Sequence, residues 1–328
     1  MKAITYYEYG SPDVLQIEEM TKPVAEKKEV LIRVRAAEVT KTDCEMRSFG
    51  FSVKWFWLPL RLALGITKPR KPILGMYFSG EVVTLGEEVS QFKPGDLIFG
   101  VTGFNRGAYG EYMCLPESCA VVPKPENMNF EEAASVPLGG LNALHFMTRA
   151  KIKAGEKVLV NGAGGSIGIF AVQIAKNMGA EVTVVDKALK RDMLLSIGAE
   201  RFIDYQQEDF TTSDGKYDVI FDMVPGSSYA GCVRSLVSGG RYVIGNPRFL
   251  DMLRSVFTTR LTDKTVQFAF AGETKEELLR LKKMIEDGSI GAVVDRVFPM
   301  HDVSEAHRLV ETEQRIGSIV ISMGQAPT

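Results

Sequence analysis

The sequence predicts an α/β fold in two parts: a doubly wound parallel sheet, and a smaller, mainly antiparallel, barrel-like domain. Three observations predict it. From residue 157 onward, short apolar strands alternate with helical stretches, as in a parallel sheet covered by helices on both faces. Before residue 123 the chain reads mostly as strands and turns with Gly and Pro-Gly punctuation. Where the alternation starts, Lys157-Val-Leu-Val-Asn-Gly-Ala-Gly-Gly-Ser-Ile-Gly168 runs from an apolar strand into a glycine cluster that opens a helix. A chain of 328 residues is long enough for about two domains. The expected division is residues 1–122, completed by 291–328, against 123–290.

In the first part, Val30-Leu-Ile-Arg-Val-Arg-Ala36 alternates apolar and charged residues like a half-buried strand. Gly80–Gly86, Asp96–Gly100, Gly110–Leu115 and Ala120–Pro123 are further short strands, and Phe92-Lys-Pro-Gly-Asp96 is a turn signal. The segment Phe49–Pro72 is unusually aromatic. Phe51, Trp55, Phe56 and Trp57 either pack as a helix on the barrel, the reading preferred, or roof an apolar pocket. Arg61, Lys68, Arg70 and Lys71 lie in the same stretch and add weak membrane-surface contact as a lesser option.

After Pro123 a helix follows with Asn129 as N-cap and acids in its first turn. Strands are predicted at Lys157–Asn161, Glu181–Asp186, Arg201–Tyr205, Tyr217–Val224, Gly240–Gly245 and Val266–Ala271. The last is apolar and at an edge, which favours pairing with a second copy in a homodimer. A helix over Lys275–Asp287, a strand over Val293–Pro299, a helix over 304–311 capped by Ser304 and a strand over Gly317–Ser322 complete the chain.

The turn Gly162-Ala-Gly-Gly-Ser-Ile-Gly168 spaces its glycines as GxxGxxG, with Gly164 extra. Small residues let a backbone approach a pyrophosphate, and N–H groups at a helix start favour negative charge, so Gly162, Gly164, Gly165, Ser166, Ile167 and Gly168 are candidate dinucleotide contacts. The competing reading is a tight strand–helix turn with no ligand. Asp186 ends the next strand, where an acid holds the ribose hydroxyl of NAD.

A net charge of −2 gives no support to nucleic acid as a partner. Cys44, Cys114, Cys119 and Cys232 lack metal-site or CxxC spacing and read as reduced thiols in a cytoplasmic protein. The N-terminus lacks the apolar core of a signal peptide. The most apolar window, Trp55–Gly65, is far short of the ~20 residues needed to span a bilayer, so no stable membrane insertion is expected.

Leu74-Gly-Met-Tyr-Phe-Ser-Gly-Glu-Val82, Phe92–Asp96, Gly107-Ala-Tyr-Gly-Glu-Tyr112, Ala133-Ala-Ser-Val-Pro-Leu-Gly-Gly-Leu-Asn-Ala143, the Asn161–Gly168 turn, Ile197-Gly-Ala199 with Ile203-Asp-Tyr205, and Ala306-His-Arg308 carry a resemblance over nearly the whole chain. The sequence resembles the medium-chain dehydrogenase/reductase superfamily, on its zinc-independent quinone oxidoreductase side. The resemblance implies a GroES-like first domain and a Rossmann second domain. It also implies hydride transfer from NADPH to a quinone, enone or other activated carbonyl compound. An NAD(P)-dependent alcohol dehydrogenase and a non-catalytic NADPH-binding sensor or interaction protein are the alternatives.

The positions matching the zinc ligands of related enzymes are Thr40, Met76 and Leu138, which are not a zinc donor set. No zinc or other metal is therefore expected. Cys44 lies near Thr40 with no His in sequence reach, and His145, His301 and His307 read as surface or packing residues. The resemblance sets Thr40 beside the nicotinamide as a hydrogen-bond donor to a substrate oxygen. The competing reading is a turn-forming Thr beside a structural Asp43. Tyr77, where zinc enzymes carry Glu, is either a proton donor or a lining residue. Asn142 is implied as a nicotinamide or ribose contact, and Val224, Gly245 and Asn246 complete the expected cofactor contacts. The resemblance matches Lys190 and Tyr205 to residues that hold a 2′-phosphate. They favour NADPH, with Asp186 favouring NADH.

Overall fold

The computed structural model describes residues 1–51, 57–212, 215–268 and 272–324. In chain order it opens with strands β1 (Lys2–Thr5), β2 (Gln16–Glu19) and β3 (Glu29–Val39), then helices α1 (Lys41–Ser48) and α2 (Trp57–Leu64). Strands β4 (Tyr77–Leu85), β5 (Leu97–Val101), β6 (Tyr112–Pro116) and β7 (Val121–Pro123) precede helices α3 (Phe130–Ala134) and α4 (Val136–Ala150). The alternating part is β8 (Lys157–Asn161), α5 (Ser166–Asn177), β9 (Glu181–Asp186), α6 (Arg191–Ser196), β10 (Arg201–Asp204), β11 (Tyr217–Asp222), α7 (Tyr229–Arg234), β12 (Leu236–Ile244), α8 (Phe249–Leu261) and β13 (Thr265–Phe268). Helix α9 (Lys275–Glu286), β14 (Val294–Pro299), α10 (Val303–Thr312) and β15 (Ser318–Ser322) close the chain.

The chain divides into two compact units. Unit 1 comprises Met1–Leu138, Glu273–Glu286 and Ala292–Thr328. Its main sheet runs β14-β15-β3-β4-β5-β7, with β6 paired to β3. All neighbours are antiparallel except β14 and β15. The long strand β3 buries Val30, Ile32 and Val34 on one face, and with Leu74, Phe78, Ile98, Tyr109 and Ile319 they form the core of this unit. The C-terminal strand β15 sits beside β3, Ile319 opposite Val39, so the tail is built into the first unit's sheet. Helix α9 also belongs here, because Asn127 Nδ2 donates to the Ile285 carbonyl and Lys275 Nζ donates to the Glu117 carbonyl.

Unit 2 comprises Gly139–Gly272 and Asp287–Gly291. Its sheet is parallel, in the order β10-β9-β8-β11-β12-β13. Counted from its first strand that is 3-2-1-4-5-6, the order of a dinucleotide fold whose ligands bind where the order reverses, between β8 and β11. Strands of such a sheet are buried on both faces and read as continuous apolar runs. Val158, Leu159 and Val160 of β8 are accordingly buried. The fold is thus α/β, with a Rossmann sheet and a GroES-like unit.

Two sequence expectations are corrected. Ser304 does not cap α10: a short 3-10 turn over Met300–Asp302 leads into the helix, Asp302 takes the N-cap position, and Ser304 Oγ donates to the Pro12 carbonyl. The aromatic segment does form a helix, α2, but it is not buried. Leu64 is its only buried residue, while Trp57, Leu58 and Leu62 are exposed. Trp55 and Phe56 lie outside the described residues, as do residues 269–271 of the expected last strand.

Candidate functional site

Strand β8 delivers the chain to the reversal point of the unit 2 sheet, with β9 on one side and β11 on the other. There Gly162 takes a φ of +80°, a left-handed conformation that glycine adopts without steric cost, and its N–H donates to the Val185 carbonyl at 3.0 Å. A Cβ on Gly168 would lie 2.4 Å from the Gly162 carbonyl oxygen and 2.5 Å from that of Ala163. Glycine at 168 therefore lets α5 start in backbone contact with the turn. Gly165 is the N-cap of α5 and supplies no side-chain cap. The positive end of the α5 dipole at this point favours an anion. The turn fits a pyrophosphate.

Four residues chosen from sequence converge on the next corner. Asp186 Oδ2 accepts the Gly164 N–H at 2.7 Å, and Oδ1 accepts the Lys187 N–H at 2.8 Å. Lys190 Nζ lies 3.3 Å from Asp186 Oδ1 and donates to the Gly164 carbonyl at 3.2 Å. Both side chains are buried. Tyr205 hangs from the same corner, its N–H on the Asp186 carbonyl at 3.4 Å and its ring half exposed. Asp186 thus has its negative charge balanced within the protein, and half-buried Lys187 and exposed Arg191 add positive charge nearby.

Across the reversal point, Val224 would lie 3.1 Å from a Cβ on Gly162. Asn246 Nδ2 donates to the Met223 carbonyl at 2.9 Å, and a Cβ on Gly245 would strike Met223 Sδ at 2.2 Å. Asn142 is half-buried on α4. Sequence reasoning missed Asp222, which ends β11. Its buried carboxylate accepts from Asn161 Nδ2, the Val224 N–H, Ser227 Oγ and Tyr242 Oη at 2.8–3.0 Å. Burial raises its pKa, and these donors oppose the rise. The network pins the exits of β8 and β11 to each other. An acid closing the apolar run Val219–Phe221 was the available signal.

In unit 1, Thr40 is the N-cap of α1 in a reciprocal capping box. Its Oγ1 accepts the Asp43 N–H at 3.1 Å and donates to Asp43 Oδ2 at 2.6 Å. Asp43 is fully buried and also accepts the Gly75 N–H at 3.2 Å. Burial raises its pKa against the pull of those donors. The single proton of Thr40 is therefore already directed at a carboxylate. Tyr77 is buried at the start of β4, and its Oη donates to Glu273 Oε1 at 2.9 Å. Burial and then the Glu273 carboxylate push the phenol well above its ordinary pKa, and burial raises Glu273 as well. Glu273 was invisible from sequence, 196 residues away from Tyr77.

Cys44 does have a histidine partner, which corrects the expectation drawn from sequence reach. His307 Nδ1 lies 3.3 Å from Cys44 Sγ, and Tyr109 Oη lies 3.4 Å from His307 Nε2. Burial, then Arg47, lowers the His307 pKa to about 3, so this cluster is neutral packing. The positions matched to zinc ligands hold Thr40, a methionine and a leucine, and no group of three His, Cys, Asp or Glu gathers among the described residues. The donor set does not fit zinc.

Residues 26–126 match the family model described as the alcohol dehydrogenase GroES-like domain, and residues 197–321 match the one described as zinc-binding dehydrogenase. Among curated relatives, the 2-methylene-furan-3-one reductase of Solanum lycopersicum is 29% identical over 98% of this chain and 79% of its own. The chloroplastic NADPH-dependent alkenal/one oxidoreductase of Arabidopsis thaliana matches at the same identity and coverage. The solved quinone oxidoreductase of Coxiella burnetii superposes with a TM-score of 0.85 at 29% identity, over 98% of this chain and 99% of that one. The chain belongs to the medium-chain dehydrogenase/reductase superfamily. Within that superfamily it is quinone oxidoreductase-like, an oxidoreductase enzyme whose cofactor is a nicotinamide dinucleotide. The second model's description is zinc-binding dehydrogenase, while the positions that the sequence resemblance matches to zinc ligands carry Thr40, Met76 and Leu138.

Proposed function

We propose that this chain is a zinc-independent, NADPH-dependent reductase that delivers hydride to an electron-poor carbon of a quinone, an enone or another activated carbonyl compound. The observation that carries the reading is the donor set at Thr40, Met76 and Leu138. Without a Lewis acid to polarise an ordinary carbonyl, the substrate must supply its own activation. The names of the reductase relatives support the same class.

NADPH supplies the hydride. The turn Gly162–Gly168 seats the pyrophosphate, with Ser166 and Ile167 opening α5. Asn142, Val224, Gly245 and Asn246 flank the remainder of the dinucleotide. Lys190 neutralises Asp186 and, with Tyr205, makes the corner tolerant of a 2′-phosphate. Tyr77 is the proton-bearing group offered to the reduced substrate, held by Glu273. Thr40 acts as a positioning residue through its cap on α1. The four free cysteines support a cytoplasmic setting. No described helix is long and apolar enough to cross a membrane. The edge position of β13 supports a homodimer.

The test is NADPH oxidation over a panel of quinones, enones and aldehydes, before and after dialysis against a chelator. Turnover with a quinone or enone that survives chelation is expected. Activity only on adding zinc overturns the metal assignment. NADPH binding without turnover on any substrate overturns the enzymatic one.

A further inference from the structure

The proposed function gives no role to the exposed apolar face of α2 in unit 1. This helix presents Trp57, Leu58 and Leu62 to solvent, Leu58 at 62% exposure, and Ile66 just beyond it is 63% exposed. It is held firmly nevertheless. The Arg61 guanidinium sits 3.6 Å from the Phe49 ring centroid, 4.9 Å from that of Tyr9 and 5.4 Å from that of Trp57, and it donates to the Ile66 carbonyl at 2.7 Å. Tyr9 Oη closes the far end on the Gly65 carbonyl at 2.9 Å. An ordered helix with a bare apolar face implies an occupant for that face.

Charge identifies the occupant. Lys68, Arg70 and Lys71 follow the helix and are all exposed. Lys71 Nζ reaches the Phe104 and Asn105 carbonyls at 3.0 and 3.2 Å, which brings Phe104, itself 91% exposed, beside the basic stretch. Neither 57–80 nor 97–110 contains an Asp or Glu, although the chain as a whole is net acidic. Tryptophan, leucine and phenylalanine projecting among cations with no acid interspersed are the chemistry of an anionic lipid surface: rings and aliphatics enter the headgroup boundary, and lysine and arginine meet the phosphates.

We propose that the α2 face, with Ile66, Phe104 and the cations Lys68, Arg70 and Lys71, docks this protein reversibly on anionic bilayers. Adsorption leaves the protein peripheral, since α2 has only 8 residues. Each basic residue at an anionic surface contributes roughly fivefold to binding.

The test is cosedimentation of the full-length chain with phosphatidylcholine vesicles prepared with and without phosphatidylserine. The chain's two tryptophans, Trp55 and Trp57, both lie in or next to α2 in sequence, so intrinsic fluorescence reports on this face. Binding to the phosphatidylserine vesicles alone is expected, with a blue shift of the emission, and loss of binding as salt is raised. Leu58→Glu/Leu62→Glu and Lys68→Glu/Arg70→Glu should each reduce bound protein by at least about tenfold with unchanged melting temperature, since the replaced side chains are exposed. Equal binding with and without phosphatidylserine, or none, overturns the proposal. So does binding that survives both α2 variants but is lost in Leu253→Glu/Phe257→Glu on α8, whose face is also apolar and exposed. A concentration-dependent dimer abolished by Leu58→Glu/Leu62→Glu assigns the face to a second copy instead and overturns it equally. None of these readouts depends on turnover, so they stand or fall apart from the reductase reading.

Discussion

Lys190 and Asp186 form a buried ion pair, Nζ to Oδ1 at 3.3 Å, laid directly over the Gly164 peptide. An acid at the end of this strand ordinarily selects against a 2′-phosphate; here the lysine cancels it. Replacing Lys190 by Met strands a buried carboxylate. The expected result is a loss of roughly 3 kcal/mol in stability and a shift of preference from NADPH toward NADH. Replacing Asp186 by Ser should move preference the other way. Fluorescence-quenching titrations with both cofactors check the pair, and tighter binding of NADH by the unaltered protein refutes the NADPH assignment.

The close approach at the start of α5 gives a second outcome. Gly168→Ala forces a methyl onto two carbonyl oxygens at 2.4 and 2.5 Å, which only backbone movement relieves. A loss of about 1–3 kcal/mol is expected, with dinucleotide affinity falling more steeply than stability. Gly291→Ala, where a Cβ meets nothing within 4 Å and the backbone is not in the positive-φ region, is the control without a clash. Melting temperatures with and without NADPH separate the two contributions.

Tyr77→Phe removes the phenolic proton and keeps the ring. If Tyr77 supplies the proton, kcat for an enone falls about a hundredfold, with a much smaller change for a quinone that is protonated from solvent. Glu273→Gln should give a milder loss and a displaced pH profile, because the carboxyl holding the phenol no longer titrates. Equal rates for Tyr77→Phe and the parent enzyme would make Tyr77 a lining residue.

His307 predicts acid sensitivity. It is held neutral in the fold with a pKa of about 3, against 6.5 for the free side chain. Below 6.5 the unfolded chain takes up a proton that the folded chain refuses. The stabilisation present above 6.5 is therefore lost as pH falls toward about 3, by roughly 5 kcal/mol in all. Denaturant unfolding of His307→Gln across that window should show a flatter pH dependence than the parent.

The parts legible in sequence were those written locally. The glycine turn, the strand on either side of it and the Asn129 N-cap each span a few residues, and their physics is contained in that span. Asp186 at the corner was within reach because a strand–helix–strand unit fixes the spacing of its ends, whereas Lys190 and Tyr205 came from the family resemblance. The pairs that escaped are those made by topology. Tyr77 finds Glu273 and Cys44 finds His307 only after the C-terminal elements have joined unit 1. The exposure of α2 escaped for a different reason: apolar side chains usually find a core, and composition does not say when they fail to.

The Thr40–Asp43 cap also sets how readily this lineage of sites could change its chemistry. Installing a thiolate at position 40 would remove the hydroxyl that caps α1, at a cost of about 0.5–2 kcal/mol. It would also deprive buried Asp43 of its shortest donor, the one at 2.6 Å. A metal ligand arriving there alone would weaken the fold before it had a metal to hold. Substitution in the opposite direction, from thiolate to threonine, is rewarded at once by the cap. A thiol arriving at this position therefore starts from a loss of cap stability that metal binding would have to offset.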